Sequence, residues 1–488
     1  LAAPQVNWLF TTRSSPSSAP MTSSDIAFHS IAELSRLLRA RRVSSVELTR
    51  LFLDRLDRLG PTYNALAELT PERALAQAHR ADRMFRRGEV RSRLQGIPYG
   101  AKDLLATAGI PTRWGSPAHR AQVFDDDATV IRRLAAAGAV LAGKLALVEI
   151  AGGGGYEYAD ASDTGPGLNP WNRRRWAGGS SSGSGSAVAA GLVPYALGSE
   201  TWGSIVTPSA YCGITGLRPT WGLVSRHGAM ELAWSMDKIG PMARSAEDCG
   251  WVLEAIAGGD PHDPTTAGVE FRFTPRPPRR GLRLGILPSD FAVAPGTAVV
   301  FEEAVRVLRR AGMRVARAPL PDHPYEAVAR TILDAEMAAA HETFIRSRRL
   351  AALVDAAQRR GLRATLALRA AAVVRAEQRR LAIRRDIARL FERHDVLVSP
   401  TLLTEATPLR TNLRISRRRR GGYAVLGALC GLPALSVPMG FGPHGLPLGL
   451  CFTGRLFDEA TLLGLGMLFQ RETDWHLRRP HVPPSGRM

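Results

Sequence analysis

Two residue types near the middle of this chain, serine and lysine, are arranged for nucleophilic chemistry. The stretch from Gly178 to Ser186, GGSSSGSGS, packs five serines into nine residues. Another serine, Ser204, follows 24 residues after Ser180, inside GSETWGSIVTPSAYCGITGLRPT. Upstream, Lys102 sits in GIPYGAKDLL among apolar and small residues. It is one of only three lysines, with Lys144 and Lys238, among 64 basic residues. A serine hydroxyl is a weak nucleophile and needs a base within hydrogen-bond reach. Lysine can be that base once burial lowers its pKa from about 10.4 toward neutrality; arginine does not deprotonate.

Read alone, GGSSSGSGS has the composition of a flexible linker. Its surroundings argue otherwise. From Trp176 to Leu217 the only charged residue is Glu200, and a charge-poor segment of that length belongs in a core. The run is therefore expected to be a tight loop at a helix N-terminus, where small residues let the backbone approach a ligand. Two catalytic templates fit it. The G-x-S-x-G elbow would make Ser181 the nucleophile, but it needs a preceding strand and a later Asp and His. The preceding NPWNRRRWA reads as no strand. The second template is a serine activated by lysine, with Ser204 in a glycine-bounded turn whose backbone N–H groups could hold an oxyanion. The second is preferred.

The elements that must position these residues alternate. Ile31 to Gly60 carries apolar residues at spacings of three and four, as two amphipathic helices, with Ser44 or Ser45 capping the second. ERALAQAHRADRMFRRG reads as a further helix and LQGIPYGAKDLLATAGIPT as strand and loop. DATVIRRLAAAGAVLAGKLAL reads as helix, turn and strand, and AVAAGLVPYALG as a small-residue helix running into a strand. After the connector 274–281 come the strand LRLGIL, a helix and MRVARAPL. Residues 328–395 are helical, and DVLVSPT is a buried strand. This alternation is an α/β pattern.

The chain resembles the amidase signature family. The resemblance rests on the Gly-Gly-Ser-Ser loop, the small-residue helix, the turn around Ser204 and the CGITGLRPT strand. GIPYGAKD, AGKLAL, SMDKIGP and GLPALSVPMGF with GLPLGLCFTGRLFDEATLL extend it over roughly residues 30–480. The resemblance implies an α/β/α sandwich around a mixed, mostly parallel sheet, with a Ser–cis-Ser–Lys triad and no metal or cofactor. Lys102 would be the base, Ser180 the cis-serine and Ser204 the nucleophile. Ser181 would support them, and the N–H groups of Thr201, Trp202, Gly203 and Ser204 would line the oxyanion hole. The implied activity is hydrolysis of a small or aryl amide, with esters or carbamates as further candidates. The glutamine-hydrolysing component of tRNA-dependent amidotransferases is the second reading and a non-catalytic scaffold the third.

Three positions depart from the family pattern. Trp202 stands where glycine is usual, and would be strained if the turn needs a positive φ there. Glu200 replaces Asp, and Val206 replaces an arginine. Glu200 must then find another basic partner, for which Arg218 is the candidate. The missing arginine argues against a substrate carboxylate at that place. Tyr156, Tyr158 and Trp171 are candidates for a pocket wall, or for an ordinary ordered loop. Lys144 and Lys238 receive no chemistry.

The bulk numbers set the frame. With 488 residues and 45% hydrophobic content the chain is long enough for one large α/β domain. A net charge of +20 invites a nucleic-acid reading. The basic residues are mostly scattered arginines without interleaved aromatics, so no nucleic-acid partner is expected. Cys212, Cys249, Cys430 and Cys451 are far apart and form no metal or disulfide framework. The apolar run 423–442 is broken by Pro433, Pro438 and glycines, which excludes a membrane span. Residues 1–25 are expected to be a disordered extension, with Met21 a candidate start, and 26–488 a single cytoplasmic domain. Its expected partners are a small-molecule amide and, at most, a second copy in a homodimer.

Overall fold

The computed structural model describes residues 26–287, 293–420 and 422–482, with side chains left out at 417–420. The expected extension over 1–25, including Met21, lies outside the described residues.

The first helices form where the caps dictate. Ile31–Arg39 and Ser45–Leu59 each start on a capping box, Ser30 with Glu33 and Ser44 with Glu47. Ser44, not Ser45, is therefore the cap of the second. The strands follow as β1 (Leu66–Leu69), β2 (Pro98–Lys102), β3 (Val140–Leu145), β4 (Leu168–Asn169), β5 (Asn172–Trp176), β6 (Tyr195–Glu200) and β7 (Thr215–Arg218). They continue as β8 (Lys238–Ala243), β9 (Arg283–Ile286), β10 (Arg314–Arg317), β11 (Val396–Pro400), β12 (Ala434–Phe441) and β13 (Pro447–Thr453).

Eleven of these form one sheet in the order β1-β3-β2-β6-β8-β7-β12-β13-β11-β9-β10. The sheet is mixed, as expected, but it is not mostly parallel. Only β2/β3, β2/β6, β9/β11 and β9/β10 pair in parallel. The other neighbours, from β6 through β8, β7, β12 and β13 to β11, run antiparallel, as does β1 with β3. A helix–strand alternation fixes that crossovers exist, not which strands become neighbours across long connections.

A second correction concerns residues before the serine loop. NPWNRRRWA does contain a strand, β5, which pairs antiparallel with β4 in a separate two-stranded ribbon. Its arginines are largely exposed and give no apolar alternation, so the pattern that marks a half-buried strand is missing.

Central strands β2, β3, β8, β11 and β13 are buried along their whole length. Helices cover the sheet: Ser45–Leu59 and Pro71–Arg86 lie against β3, and Ala246–Ile256 and Glu459–Glu472 against β7, β8 and β12. The serine helix, Ser182–Ala189, is buried at every residue. A helix without a polar face needs small side chains to pack on all sides. At Gly183 a Cβ would stand 2.4 Å from the Ala65 carbonyl oxygen and 2.5 Å from the Ala146 nitrogen. The glycines of this run serve close backbone approach, which disposes of the linker reading. No described helix is long and apolar enough to cross a membrane.

Candidate active site

The sheet brings the lysine to the serines. β2 ends on Lys102, and its parallel neighbour β6 ends on Glu200, in the register Gly100↔Ala196 and Ala101↔Leu197. Lys102 is fully buried, and its Nζ donates to Ser180 Oγ at 2.7 Å, Ser199 Oγ at 2.9 Å and the Ser199 carbonyl at 3.2 Å. Burial pushes the Lys102 pKa down to about 7, against the opposing pull of Asp237 and Glu200.

Ser180 follows a cis Gly179–Ser180 bond, and its carbonyl accepts from Val148 N–H at 3.0 Å. Ser181 Oγ donates to the Ser199 carbonyl at 3.2 Å, and Ser181 N–H donates to the Ser204 carbonyl at 3.3 Å. The loop, the end of β6 and the turn after it are thereby tied together. Ser181, the nucleophile of the elbow template, has its hydroxyl committed to a backbone carbonyl. Ser204 Oγ makes no hydrogen bond among the described residues, and the residue is 8% exposed.

The turn 201–205 places its positive φ at Gly203 (φ 86°), while Trp202 is not among the positive-φ residues. The strain foreseen for tryptophan therefore does not arise. The Trp202 side chain packs against the cluster of Val328, Tyr423 and Leu426, with the Arg330 guanidinium 5.5 Å from its ring centre. Among the described residues, the N–H groups of Thr201, Trp202, Gly203 and Ser204 donate to no acceptor. Unspent donors in a buried turn are what an oxyanion site requires.

Buried charge sits beneath this turn. Glu200 Oε2 accepts from the N–H groups of Ile205 at 2.8 Å and Val206 at 3.0 Å, and Oε1 accepts from Arg218 at 2.6 Å. Arg218 is therefore the partner sought for Glu200. Burial alone would raise the Glu200 pKa, but Arg218, Lys238 and these hydrogen bonds outweigh it and hold it below the usual value. Lys238 is buried beside Thr201, with its pKa pushed down to about 7 by burial and by Arg218. Lys144, also buried, pairs with Asp103 at 3.0 Å and donates to Thr112 at 2.7 Å.

Of the candidate wall residues, Tyr156 is buried edge-on to Trp176 beside Gly179. Trp171 is held by the Cys212 carbonyl at 2.8 Å, and Tyr158 is exposed. A cavity of about 180 Å³ reaches Ser199, Thr201, Asp237 and Lys238; its lining does not include Ser180 or Ser204. Sequence reasoning missed Ser199 as a second hydroxyl on Lys102, although it lies next to Glu200. It also gave no role to Asp237, inside SMDKIGP. Among the described residues no group of three His, Cys, Asp or Glu side chains could hold a metal ion.

A family model described as Amidase matches residues 47–463. The chain belongs to the amidase family. Members similar to it fall into two kinds. The A-component of glutamyl-tRNA(Gln) amidotransferase from Chloroflexus aggregans is 40% identical over 475 residues, covering 91% of this chain and 96% of that protein. The peptide amidase from Stenotrophomonas maltophilia is 35% identical in its crystal structure, with a TM-score of 0.83 over 93% of this chain and 98% of that one. The corresponding amidotransferase component from Thermotoga maritima is 28% identical, with a TM-score of 0.77 over 92% of this chain and 95% of that one. The amidase fold, with its mixed sheet between helices, is thus shared with both kinds.

Proposed function

We propose that this amidase-family chain cleaves amide C–N bonds through an acyl-enzyme on Ser204, with Lys102 as base and Ser180 as relay. The observation that carries the reading is the fully buried Lys102 Nζ, 2.7 Å from Ser180 Oγ; burial lowers its pKa to about 7. Ser204 Oγ attacks the carbonyl carbon while its proton passes to Ser180, whose own proton passes to Lys102. The oxyanion is received by the free N–H groups of the turn 201–204. The relay then runs backwards, protonating the amine as the C–N bond breaks, and water repeats the attack to release the acid. Seating a carbonyl on the turn is expected to draw Ser204 Oγ within reach of Ser180, a contact that commonly tightens only in the complex.

Two substrates divide the reading. The 40% identity to the amidotransferase A-component supports glutamine as the amide, with ammonia passed on inside a complex that includes a tRNA-binding partner. By identity the relatives weigh toward this reading, which the sequence analysis placed second. Val206 in place of an arginine and Trp202 support a stand-alone hydrolase, as does the likeness to the peptide amidase. The test is release of ammonia or amine from glutamine, a C-terminal peptide amide and an aryl amide. Turnover of the peptide or aryl amide by the isolated chain supports the hydrolase; turnover of glutamine alone supports the amidotransferase component. Inertness toward all three, together with no covalent adduct on Ser204, would leave the scaffold or a component that works only with its partners.

The pKa near 7 fixes the pH dependence. A neutral Lys102 is needed, so turnover should rise about tenfold per pH unit below pH 7 and level off above it. A flat profile between about pH 5.5 and 8.5 would contradict lysine as the base.

A further inference from the structure

Asp237 is an acid at the edge of the site that the proposed chemistry leaves unused. β6 and β8 are antiparallel with Glu200 opposite Lys238, so Thr201 and Asp237 are the next facing pair. Asp237 Oδ1 accepts from the Thr201 hydroxyl, and Oδ2 accepts from the N–H groups of Leu232 at 2.7 Å and Ala233 at 2.9 Å. Its own N–H and that of Met236 donate to the Ala233 carbonyl, both at 2.9 Å. Both carboxylate oxygens are therefore engaged, and the group is fixed by the loop that precedes β8.

We propose that Asp237 is a positioning residue for the oxyanion turn, acting through the hydroxyl of Thr201. The carbonyl of Thr201 and the N–H of Trp202 belong to one planar peptide unit. Holding Thr201 therefore fixes the direction in which the Trp202 N–H points. Lys238 Nζ lies 3.5 Å from that carbonyl and 3.4 Å from the Gly427 carbonyl, so consecutive residues hold Thr201 by its side chain and its backbone. At the far end Glu200 holds Ile205 and Val206 by their N–H groups. The free N–H groups lie between these two attachments. Oxyanion donors act over a range of about 2.7–3.1 Å, and a misplacement of about 1 Å can cost about 100-fold in rate. An acid at each end is thus a means of aiming the turn. Thr201 and Asp237 also line the 180 Å³ cavity.

This inference rests on Ser204 being the nucleophile, so the experiment reports on both. A fluorophosphonate is the probe, and its adduct on Ser204 is timed by intact mass and located by peptide mapping. Wild type, Asp237→Ala, Thr201→Val, Thr201→Ser and the Asp237→Ala/Thr201→Val double variant are compared, with thermal melts alongside. Asp237→Ala and Thr201→Val should each slow the bond-forming step roughly 10–100-fold with little change in probe affinity. Thr201→Ser, which keeps the hydroxyl, should label faster than Thr201→Val. The double variant should be no slower than the slower single, because both remove the contact between the two side chains. Wild-type speed in Asp237→Ala, or a double variant slowed by the product of the two single effects, overturns the positioning role alone. Should Asp237→Ala fail to fold, the Val and Ser variants at 201 still decide: equal labelling of the two overturns the role. Absence of any Ser204 adduct in wild type overturns the nucleophile, and the positioning role with it.

Discussion

Lys102→Ala should lower kcat/KM on whichever amide the wild type turns over by at least about 10⁴-fold, the scale on which relay members fail when removed singly. Lys102→Arg should fare no better. Arginine keeps a positive charge and the hydrogen bonds to serine hydroxyls, yet it cannot give up its proton. This separates a base from a mere cation: an electrostatic role would survive the exchange in part. Three acceptors meet at Lys102 Nζ, namely Ser180 Oγ, Ser199 Oγ and the Ser199 carbonyl. A neutral amine has one lone pair and two N–H donors, so one hydroxyl can turn to donate to it while the amine donates to the other two acceptors, and the neutral form is accommodated. Ser204→Ala should lose as much as Lys102→Ala. Combining the two should cost little more, since the parts of a relay fail as a unit.

Glu200→Gln should carry the largest cost in stability. The wild-type carboxylate is fully buried against Arg218 and the N–H groups of Ile205 and Val206. The amide leaves a buried guanidinium without its counter-charge, at a cost of about 3–5 kcal/mol. The unfolding midpoint at neutral pH should fall accordingly. The sign of the pH effect follows from the depressed Glu200 pKa. This stabilisation is present above the unfolded carboxylate value and is lost as pH falls through the lower folded one. The deficit of Glu200→Gln should therefore be full at neutral pH and shrink on acidification. Adding Arg218→Met should restore part of the stability, because no unpaired charge is then left buried. The amide keeps one oxygen that can accept from the Ile205 and Val206 N–H groups, so activity should recover with the stability. Recovery of stability without activity would show that the turn needs the charge of Glu200 and not only an acceptor.

How much of this was legible in the sequence depended on the kind of signal. Lys102 was conspicuous because arginine holds nearly every other basic position, and a lysine retained there suggests chemistry that arginine cannot do. The serine loop betrayed its burial through the absence of charge between Trp176 and Leu217, interrupted only by Glu200. Its glycines proved to be points of backbone contact, as at Gly183. The helix starts at Ser30 and Ser44 follow from local capping chemistry. What failed was non-local. Nothing in YALGSE or KIGPMA announces that β6 and β8 lie antiparallel, and the parallel weighting was lost for that reason. The same pairing sets Asp237 opposite Thr201, so the acid at the turn escaped for the same cause. Asn172–Trp176 was missed because exposed arginines conceal a strand held by backbone bonds and by docking of Trp176 N–H on the Thr407 carbonyl at 2.9 Å. The worry over Trp202 assumed that the turn bends at residue 202; the bend falls on Gly203.

The central claim is that Ser204 is the nucleophile and Lys102 its base. Its most direct test is the site of covalent modification after fluorophosphonate treatment, mapped by peptide mass spectrometry in wild type and Lys102→Ala. The account predicts a single adduct on Ser204 in wild type, formed at least about 100-fold more slowly without Lys102. An adduct on Ser181, or labelling of Ser204 at an unchanged rate in Lys102→Ala, would contradict it.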